Sequence, residues 1–349
     1  VNDKIGPKLI GLDPTEQTKI DQILVNLDGE TDKSNLGANS ILSASQAVLK
    51  AGALATNLPL YQYIGLKYGL VNEKIAIPIP IFSVINGGLH GAGNLDLQEF
   101  HIIPSSRKTY TQGLILGEEI YQTLKKTLIY RNAIHSLGDD GGFAPDLFTN
   151  AGALEIIREA IKQTKYNLGE DVFLGLDVAA SFFYKNGKYT IRDYPQPLDP
   201  QEMINYYKKL NHEYHIFYLE DPLWEDDWKN WSLLTKEIGK TTIIIGDDLF
   251  CTNKERVKKG IKEKSCNTIL VKPNQTGTVS ETVEVIKMTR ETDWKVVVSH
   301  RSGETNDSFI ADFAVGVGAN YVKFGAPARG ERIAKYNRLL TIEKELRKE

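Results

Sequence analysis

This 349-residue chain has few of the residues that would cross-link a small fold or anchor a protein in a membrane. Its only two cysteines are Cys251 and Cys266, and neither has a second cysteine or a histidine at zinc-binding spacing. Two cysteines are too few for a disulfide framework, so a reducing, cytoplasmic setting is the simplest expectation and no zinc site is expected. No apolar run approaches the ~20 residues needed to cross a bilayer, so we expect no membrane partner.

A strong excess of charge of either sign is also missing. Lys and Arg number 42 and Asp and Glu number 45, which gives a formal net charge of −3. Such a balance argues against a nucleic-acid partner, because binding to a phosphate backbone depends on an excess of Lys and Arg. The length of 349 residues is enough for a barrel of roughly 250 residues plus a smaller domain.

The second half of the chain contains short apolar runs, each ending at a charged or polar residue. These six runs are 172–177, 216–220, 243–247, 269–272, 296–300 and 321–323. They recur every few tens of residues with amphipathic stretches between them, which predicts parallel strands joined by helices in a (β/α)8 barrel. In such a barrel the C-terminal strand ends carry the chemistry. One mouth should therefore hold the residues that end the runs: Asp177, Glu220, Asp247, Lys272, His300 and Lys323.

Residues 1–73 are expected to form a smaller, mostly helical domain. Small and apolar residues fall at helical spacing across 37–52, with Gly52 as a plausible C-cap. Prolines within 77–81 interrupt any helix and mark the entry to a second domain over 74–349. The glycine-rich stretch 86–93 predicts a mobile or tightly turned loop that closes over a site.

Three carboxylates at equivalent strand ends predict a magnesium site. Asp177, Glu220 and Asp247 are hard oxygen ligands, which Mg²⁺ prefers. For any one of these acids alone, a helix cap or a surface ion pair is an equally good interpretation. The presence of all three acids at strand ends favours a metal site over these alternatives.

Lys272 and Lys323 are expected at the same mouth, beside the cation. Their mutual repulsion favours a neutral amine, so we expect the pKa of at least one of them to be lowered. A neutral lysine can act as a general base on a carbon acid, while a charged one can hold an anion. Two solvated surface lysines are the alternative interpretation.

Further polar groups complete the predicted site. Arg301 and Ser302 follow His300 at a strand-to-helix turn, which suits a phosphate or a carboxylate. For His300 alone, a buried core histidine is the alternative interpretation. Glu99 and Asp140 lie at the two glycine-rich segments, where each could simply stabilise a turn, but paired acids near a metal commonly divide into an acid and an orienting group. Together these residue types indicate proton abstraction next to a carboxylate, followed by β-elimination of water.

Ten motifs make the chain similar to enolase (phosphopyruvate hydratase), particularly the archaeal type. The resemblance runs from about residue 6 to the end. Its motifs are KSNLGANSI (33–41), VINGG (84–88), QEF (98–100), GDDGG (138–142), LEDP (219–222), EDDW (225–228), GDDL (246–249), KPNQTG (272–277), SHRSGET (299–305) and KFGAP (323–327). Each motif is moderately specific, and their common order identifies the family.

The resemblance implies a fold and an activity. The fold would be a smaller α+β N-terminal domain followed by the modified (β/α)8, TIM-like barrel of enolases, in a homodimer or a higher homo-oligomer. The activity would be that of a cytoplasmic, Mg²⁺-dependent lyase of glycolysis and gluconeogenesis, which converts 2-phosphoglycerate to phosphoenolpyruvate and water.

The resemblance also implies roles for individual residues. The ligands of the first Mg²⁺ would be Asp177, Glu220 and Asp247. Lys272 matches the base that takes the C2 proton, and Asp140 stands in the place of the acid toward the C3 hydroxyl. The remaining matches are Glu99 as a further catalytic group and, as substrate contacts, His90, His300, Arg301 and Ser302 (phosphate) and Lys323 (carboxylate).

Two features depart from the family pattern and keep other interpretations open. Asp140 replaces the family's Glu and is one methylene, ~1.5 Å, shorter; a ~1 Å misplacement of a catalytic group can cost ~100-fold in rate. The family's N-terminal strands, and a serine-bearing loop for a second Mg²⁺, would precede Val1, so we expect an N-terminal segment to be missing from this sequence. The second interpretation is therefore a weak or inactive enolase-like protein that serves as a binding or assembly partner. A third, a relative acting on an unphosphorylated acid, is disfavoured by Arg301 and Ser302.

Overall fold

Short branched apolar runs form a closed eight-stranded barrel in the computed structural model of this chain, which describes residues 1–70, 75–91 and 95–347. The barrel strands are β1 (Ile79–Asn86), β2 (Glu99–Pro104), β3 (Val172–Asp177), β6 (Ile216–Glu220), β7 (Ile243–Gly246), β8 (Thr268–Val271), β9 (Lys295–Ser299) and β10 (Tyr321–Lys323). A separate hairpin consists of β4 (Tyr184–Lys185) and β5 (Lys188–Tyr189). All six runs predicted as strands are barrel strands, so the predicted fold class is confirmed.

The barrel departs from eight parallel strands at β2. Around the ring the order is β1-β10-β9-β8-β7-β6-β3-β2, and β2 runs antiparallel to both of its neighbours. The connection 87–98 contains no α-helix among its described residues, and without a crossover helix the following strand returns antiparallel. Because of this reversal, the first residue of β2, Glu99, lies at the mouth where the parallel strands end.

Helices cover the barrel and build the N-terminal segment. They are α1 (Gly6–Leu9), α2 (Gln17–Asp28), α3 (Ala38–Ala55), α4 (Leu60–Tyr68), α5 (Tyr110–Tyr130), α6 (Asn150–Lys162), α7 (Pro200–Tyr214), α8 (Trp228–Ile238), α9 (Lys254–Glu263), α10 (Pro273–Thr276), α11 (Val279–Arg290), α12 (Phe309–Gly316) and α13 (Gly330–Leu346). Local sequence determines some of their ends. At α7, the Asp199 side chain accepts a hydrogen bond from the backbone N–H of Glu202, and the Glu202 side chain accepts one from the backbone N–H of Asp199.

The barrel interior is a packed core. Its lower layer is formed by apolar side chains from strands around the ring: Ile81, Ile103, Tyr218, Ile243, Ile245, Leu270, Val297 and Tyr321. A larger apolar cluster packs the outer surface of the strands against the surrounding helices. Because apolar side chains fill the interior, polar groups on the strands are concentrated at the strand ends.

Residues 1–70 contain helices and no strand. The expected C-cap at Gly52 is wrong, because α3 continues to Ala55. A side chain at Gly52 would overlap the Tyr63 ring of α4, so this glycine allows close helix packing instead. The segment contacts the barrel through Lys33 Nζ, 2.9 Å from Glu281 Oε1.

Two expectations fall on residues outside the described part of the chain. They are the domain boundary between residues 73 and 74 and the end of the glycine-rich loop at 92–93. The described part of that loop contains a single 3-10 turn over Gly88–His90. Among the described residues, no helix is both long enough and apolar enough to span a bilayer.

Candidate active site

The strand ends surround a polar cavity of about 180 Å³. Nearly all of the predicted site residues line it: His90, Glu99, Asp140, Asp177, Asp247, Lys272, His300, Arg301, Ser302 and Lys323. Glu220 does not line the cavity but is fully buried next to it, with Oε1 2.9 Å from Lys323 Nζ. The structure therefore brings together residues that are up to 233 positions apart in the sequence, from His90 to Lys323.

Three neighbouring strands carry the predicted metal-binding acids. Asp177 ends β3 and pairs in register with Glu220, which ends β6, while Asp247 directly follows β7. Strands in a sheet lie ~4.8 Å apart, so groups at the ends of three consecutive strands converge.

The acidic cluster fits a hard divalent cation. Carboxylate oxygens of Glu220, Asp221 and Asp247 lie within 4.8 Å of one another, and Oδ1 of Asp247 is buried without a hydrogen-bond partner in the described structure. An oxygen-only set of buried carboxylates with an unsatisfied oxygen is the donor chemistry that Mg²⁺ takes. Asp177 is not part of this tight group, and its Oδ2 accepts a hydrogen bond from Lys323 Nζ at 2.7 Å. A ligand role for Asp177 stays a prediction.

Asp221 was not among the predicted site residues. Its backbone has a φ of 42°, and its carboxylate accepts the backbone N–H groups of Asp247 at 3.0 Å and Asp248 at 2.8 Å. Burial, followed by the neighbouring charge of Asp248, raises the pKa of Asp221 well above its ordinary value. Asp221 thus holds the turn that presents Asp247.

Lys323 reaches across the mouth from β10 to the acids on the far side. Its Nζ lies 2.7 Å from Asp177 Oδ2, 2.9 Å from Glu220 Oε1 and 3.4 Å from Glu99 Oε1. Burial alone would lower the pKa of Lys323, but these three carboxylates outweigh it and raise the pKa well above its ordinary value. Lys323 is therefore a fixed positive charge.

Lys272 follows β8 and forms a partly buried ion pair with Oδ2 of Asp247. Burial lowers its pKa and the charge of Lys323 does the same, but attraction to Asp247 and Glu220 gives a net increase. The expectation of a lowered lysine pKa is therefore wrong for this structure. The run ends indicated that the two lysines would be close, but not that each ammonium would contact a carboxylate directly.

The opposite wall holds two acids and a histidine. His90 Nδ1 lies 2.7 Å from Asp140 Oδ2 and 3.4 Å from Glu99 Oε1. The short contact is an ion-pair approach without hydrogen-bond alignment, since both of its atoms are buried without a hydrogen-bond partner. Burial would lower the pKa of His90, but the two acids raise it to about 10.

The two acids on this wall differ in proton affinity. Burial, followed by the charge of Glu99, raises the pKa of Asp140. Burial also acts to raise the pKa of Glu99, but Lys323, His101 and His90 together hold it well below its ordinary value. Asp140 thus has the higher proton affinity of the two, and the acid and orienting roles expected for this pair stay predictions.

The turn after β9 holds the last predicted groups. His300 is 4% exposed, while Arg301 and Ser302 are exposed at the mouth. Ser302 Oγ lies 3.2 Å from His90 Nε2, so the turn meets the glycine-rich loop across the cavity.

Four further polar residues contribute to the site and were not predicted: Gln98, Asp221, Asp248 and Arg332. The first three adjoin predicted residues within the QEF, LEDP and GDDL motifs, so those motifs contained a signal for them. Gln98 Nε2 donates to Asp177 Oδ2 at 3.4 Å. Arg332 comes from α13 at the far end of the chain, and no local pattern marked it.

Comparison with known families agrees with this geometry. Residues 1–64 match the family described as "Enolase, N-terminal domain", and residues 74–349 match "Enolase, C-terminal TIM barrel domain". The archaeal subtype and the homodimer stay predictions. Matches over both domains, together with a closed barrel whose mouth gathers carboxylates and lysines, show that this chain belongs to the enolase family.

Proposed function

We propose that the protein is a Mg²⁺-dependent hydro-lyase that interconverts 2-phosphoglycerate and phosphoenolpyruvate. One observation carries the proposal: β8 and β2 lie opposite each other in the ring, so Lys272 and Glu99 face each other across one cavity. Asp140 lies on the Glu99 side, linked to it through His90. A base on one wall and an acid on the other suit removal of a proton and a hydroxyl from neighbouring carbons, on opposite faces of the substrate.

The charges at the mouth match a phosphorylated hydroxy acid. Lys323 is buried and positively charged, so it can hold the substrate carboxylate at a fixed place. Arg301 and Ser302 are exposed at the rim, where a guanidinium and a hydroxyl can hold a phosphate. An unphosphorylated acid would leave these two groups unused.

We propose Glu220, Asp247 and Asp177 as the residues that hold the metal. When bound, Mg²⁺ supplies Lewis-acid stabilisation of negative charge on a carboxylate oxygen. Asp247 pairs with the Lys272 ammonium through Oδ2, which leaves Oδ1 for the metal. A dication held there would repel the Lys272 ammonium and so lower the pKa of Lys272.

The protons are then accounted for by residues of the chain. Neutral Lys272 takes the proton from C2, and the electron pair left on carbon is stabilised on the adjacent carboxylate beside Lys323. The bond from C3 to its hydroxyl breaks, and a proton from the Asp140 carboxyl joins the leaving hydroxide to give water. Glu99 stays ionised and orients His90 against Asp140.

The environment of Asp140 bears on whether the protein is an active enzyme or a weak or inactive relative. Its shorter side chain is fully buried among His90, His300 and Arg332, with contacts of 2.7 to 3.5 Å. These neighbours hold the carboxyl in one place, which favours an active enzyme. We place that activity in cytoplasmic glycolysis and gluconeogenesis, in a homo-oligomer, as the resemblance implies.

The test is the ultraviolet absorbance of phosphoenolpyruvate formed from 2-phosphoglycerate with Mg²⁺. The protein itself, Asp140→Glu and Lys272→Met as the inactive control would be assayed side by side. Turnover by the protein that is lost in Lys272→Met supports the proposal. A gain of ~100-fold in Asp140→Glu would show an impaired natural residue, and absence of turnover in both the protein and Asp140→Glu would end the enzyme interpretation.

A further inference from the structure

A buried arginine with no role in the proposed proton transfers lies directly behind the mouth. Arg332, in the first turn of α13, is fully buried. Its guanidinium donates four hydrogen bonds: from Nη1 to His300 Nδ1 at 2.6 Å and to the Arg301 carbonyl at 2.7 Å, and from Nη2 to the Ser302 carbonyl at 2.7 Å and to the Asp139 carbonyl at 3.1 Å. One side chain therefore contacts both the phosphate-binding turn and the loop that carries Asp140.

The contact with His300 determines where the proton of that ring must lie. A guanidinium has donors and no acceptor, and it stays charged, so the ring nitrogen that faces it must offer a lone pair. A neutral imidazole carries one lone pair and one N–H, so Nε2 of His300 bears the hydrogen. Nε2 is 3.5 Å from Asp140 Oδ1, on the cavity side.

The surrounding charges keep this ring neutral. Arg332, Lys323 and Lys272 are the positive groups that act on His300, and Glu99 and Asp140 are the negative ones. Burial first, and the charge of Arg332 second, hold the pKa of His300 well below its ordinary value. The same arginine thus orients the ring and opposes its protonation.

We propose that Arg332 is a positioning residue that keeps His300 as a neutral Nε2–H donor toward the cavity and fixes the phosphate-binding turn relative to the acid-bearing loop. The kinetic consequences rest on the proposed dehydration. The proton position on His300 does not, because it can be measured without turnover.

The first experiment uses the unmodified protein. Nitrogen-15 labelling of its six histidines would give ring signals, and the signal lost in His300→Gln identifies His300. We expect an Nε2–H neutral ring from about pH 6 to about pH 8, the range in which an ordinary histidine titrates. A ring protonated on Nδ1, or a doubly protonated ring in that range, would overturn the assignment.

Two substitutions separate charge from geometry. Arg332→Gln removes the positive charge, so the pKa of His300 should rise, while burial still holds it below the ordinary value. The loss of activity on acidification should therefore begin at a higher pH than in the unmodified protein. Arg332→Lys keeps the positive charge but lacks the planar guanidinium, so the acid limb, the low-pH side of the pH–activity profile, should stay where it is in the unmodified protein. Because the phosphate-binding turn is held less firmly, kcat/KM for 2-phosphoglycerate should drop by up to ~100-fold.

Arg329 provides the matched control. This neighbouring arginine donates to the Gly138 carbonyl at 2.9 Å and the Asp139 carbonyl at 3.1 Å, and none of its contacts in the described structure is with His300. Arg329→Gln should therefore leave the acid limb where it is. An equal shift in Arg329→Gln would refute the specific role of Arg332.

The outcomes separate the two proposals. If the protein does not turn over 2-phosphoglycerate, the proposed function fails while the ring signal still decides the role of Arg332. If Arg332→Gln does not fold, Arg332→Lys and the unmodified protein still decide it.

Discussion

Replacing Lys323 with methionine should remove the ammonium that three buried carboxylates share. Lys323 is 3% exposed, and its Nζ lies between 2.7 and 3.4 Å from oxygens of Asp177, Glu220 and Glu99. Methionine is also long, unbranched and flexible, so the substitution removes the charge while largely keeping the packing.

The expected loss follows from these distances. One pair of unit charges at 2.7 Å is worth about 6 kcal/mol at an effective dielectric constant of about 20. The cost of burying the ammonium offsets much of the attraction, and breaking a buried ion pair by removing one partner costs about 3–5 kcal/mol. We therefore expect the free energy of unfolding of Lys323→Met to be lower by about 3–5 kcal/mol at neutral pH.

This loss should depend on pH in a defined direction. Burial acts to raise the pKa of Glu99, and Lys323 is the main group that holds it well below its ordinary value, so loss of the ammonium should raise it. A carboxyl group with a raised folded-state pKa destabilises the fold above that pKa, and the penalty disappears as the pH falls to the unfolded value of ~4.3. The deficit of the variant should shrink as the pH is lowered from neutrality.

Urea unfolding, at neutral pH and at about pH 5, measures both effects. Lys335→Met is the matched control, because Lys335 is equally buried and pairs with Glu304 at 2.8 Å, away from the acid cluster. Its loss of stability should not shrink at the lower pH. A deficit below about 1 kcal/mol for Lys323→Met, or the same pH dependence in both variants, would contradict this prediction.

Three other predictions concern the base, the metal and the packing of the barrel. Lys272→Met should lower kcat by ~10²–10⁴-fold, as expected for loss of a general base, with a much smaller change in KM, read from phosphoenolpyruvate absorbance. Asp247→Asn should weaken Mg²⁺ binding by at least the ~10–100-fold typical of an outer-shell partner, and equal affinities by calorimetry would exclude Asp247 as a ligand. Gly117→Ala should cost about 1–3 kcal/mol in urea unfolding because its methyl group would overlap the buried ring of Phe82. Gly113→Ala, where the nearest atom would be 3.2 Å away, serves as the milder control.

Most of the fold could be predicted from local sequence patterns. Buried strands read as short apolar runs because both of their faces are covered, so six barrel strands could be predicted directly. β1 and β2 were missed, since Pro80 and Pro104 weaken the strand signal and nothing local shows that β2 reverses. Gly52 was misread as a helix end because local sequence does not show that Tyr63 of the next helix packs against it.

Some residues of the site could likewise be predicted from local sequence, and others could not. Asp177, Glu220 and Lys323 were predictable because each ends an apolar run, and strand ends share one mouth in a parallel barrel. Asp221 and Arg332 were missed because their roles depend on hydrogen bonds to residues that lie far away in the sequence.

The amino-acid order alone determined six of the eight barrel strands and most of the polar groups that reach the mouth, because hydrophobic periodicity and the residues at strand ends are local properties. Only the tertiary structure decided which charges touch. Coulomb energy and desolvation vary with separations of a few ångströms between distant parts of the chain. For that reason the two lysines, expected to repel one another into neutrality, are each held as ammonium ions by the carboxylates that the barrel brings against them.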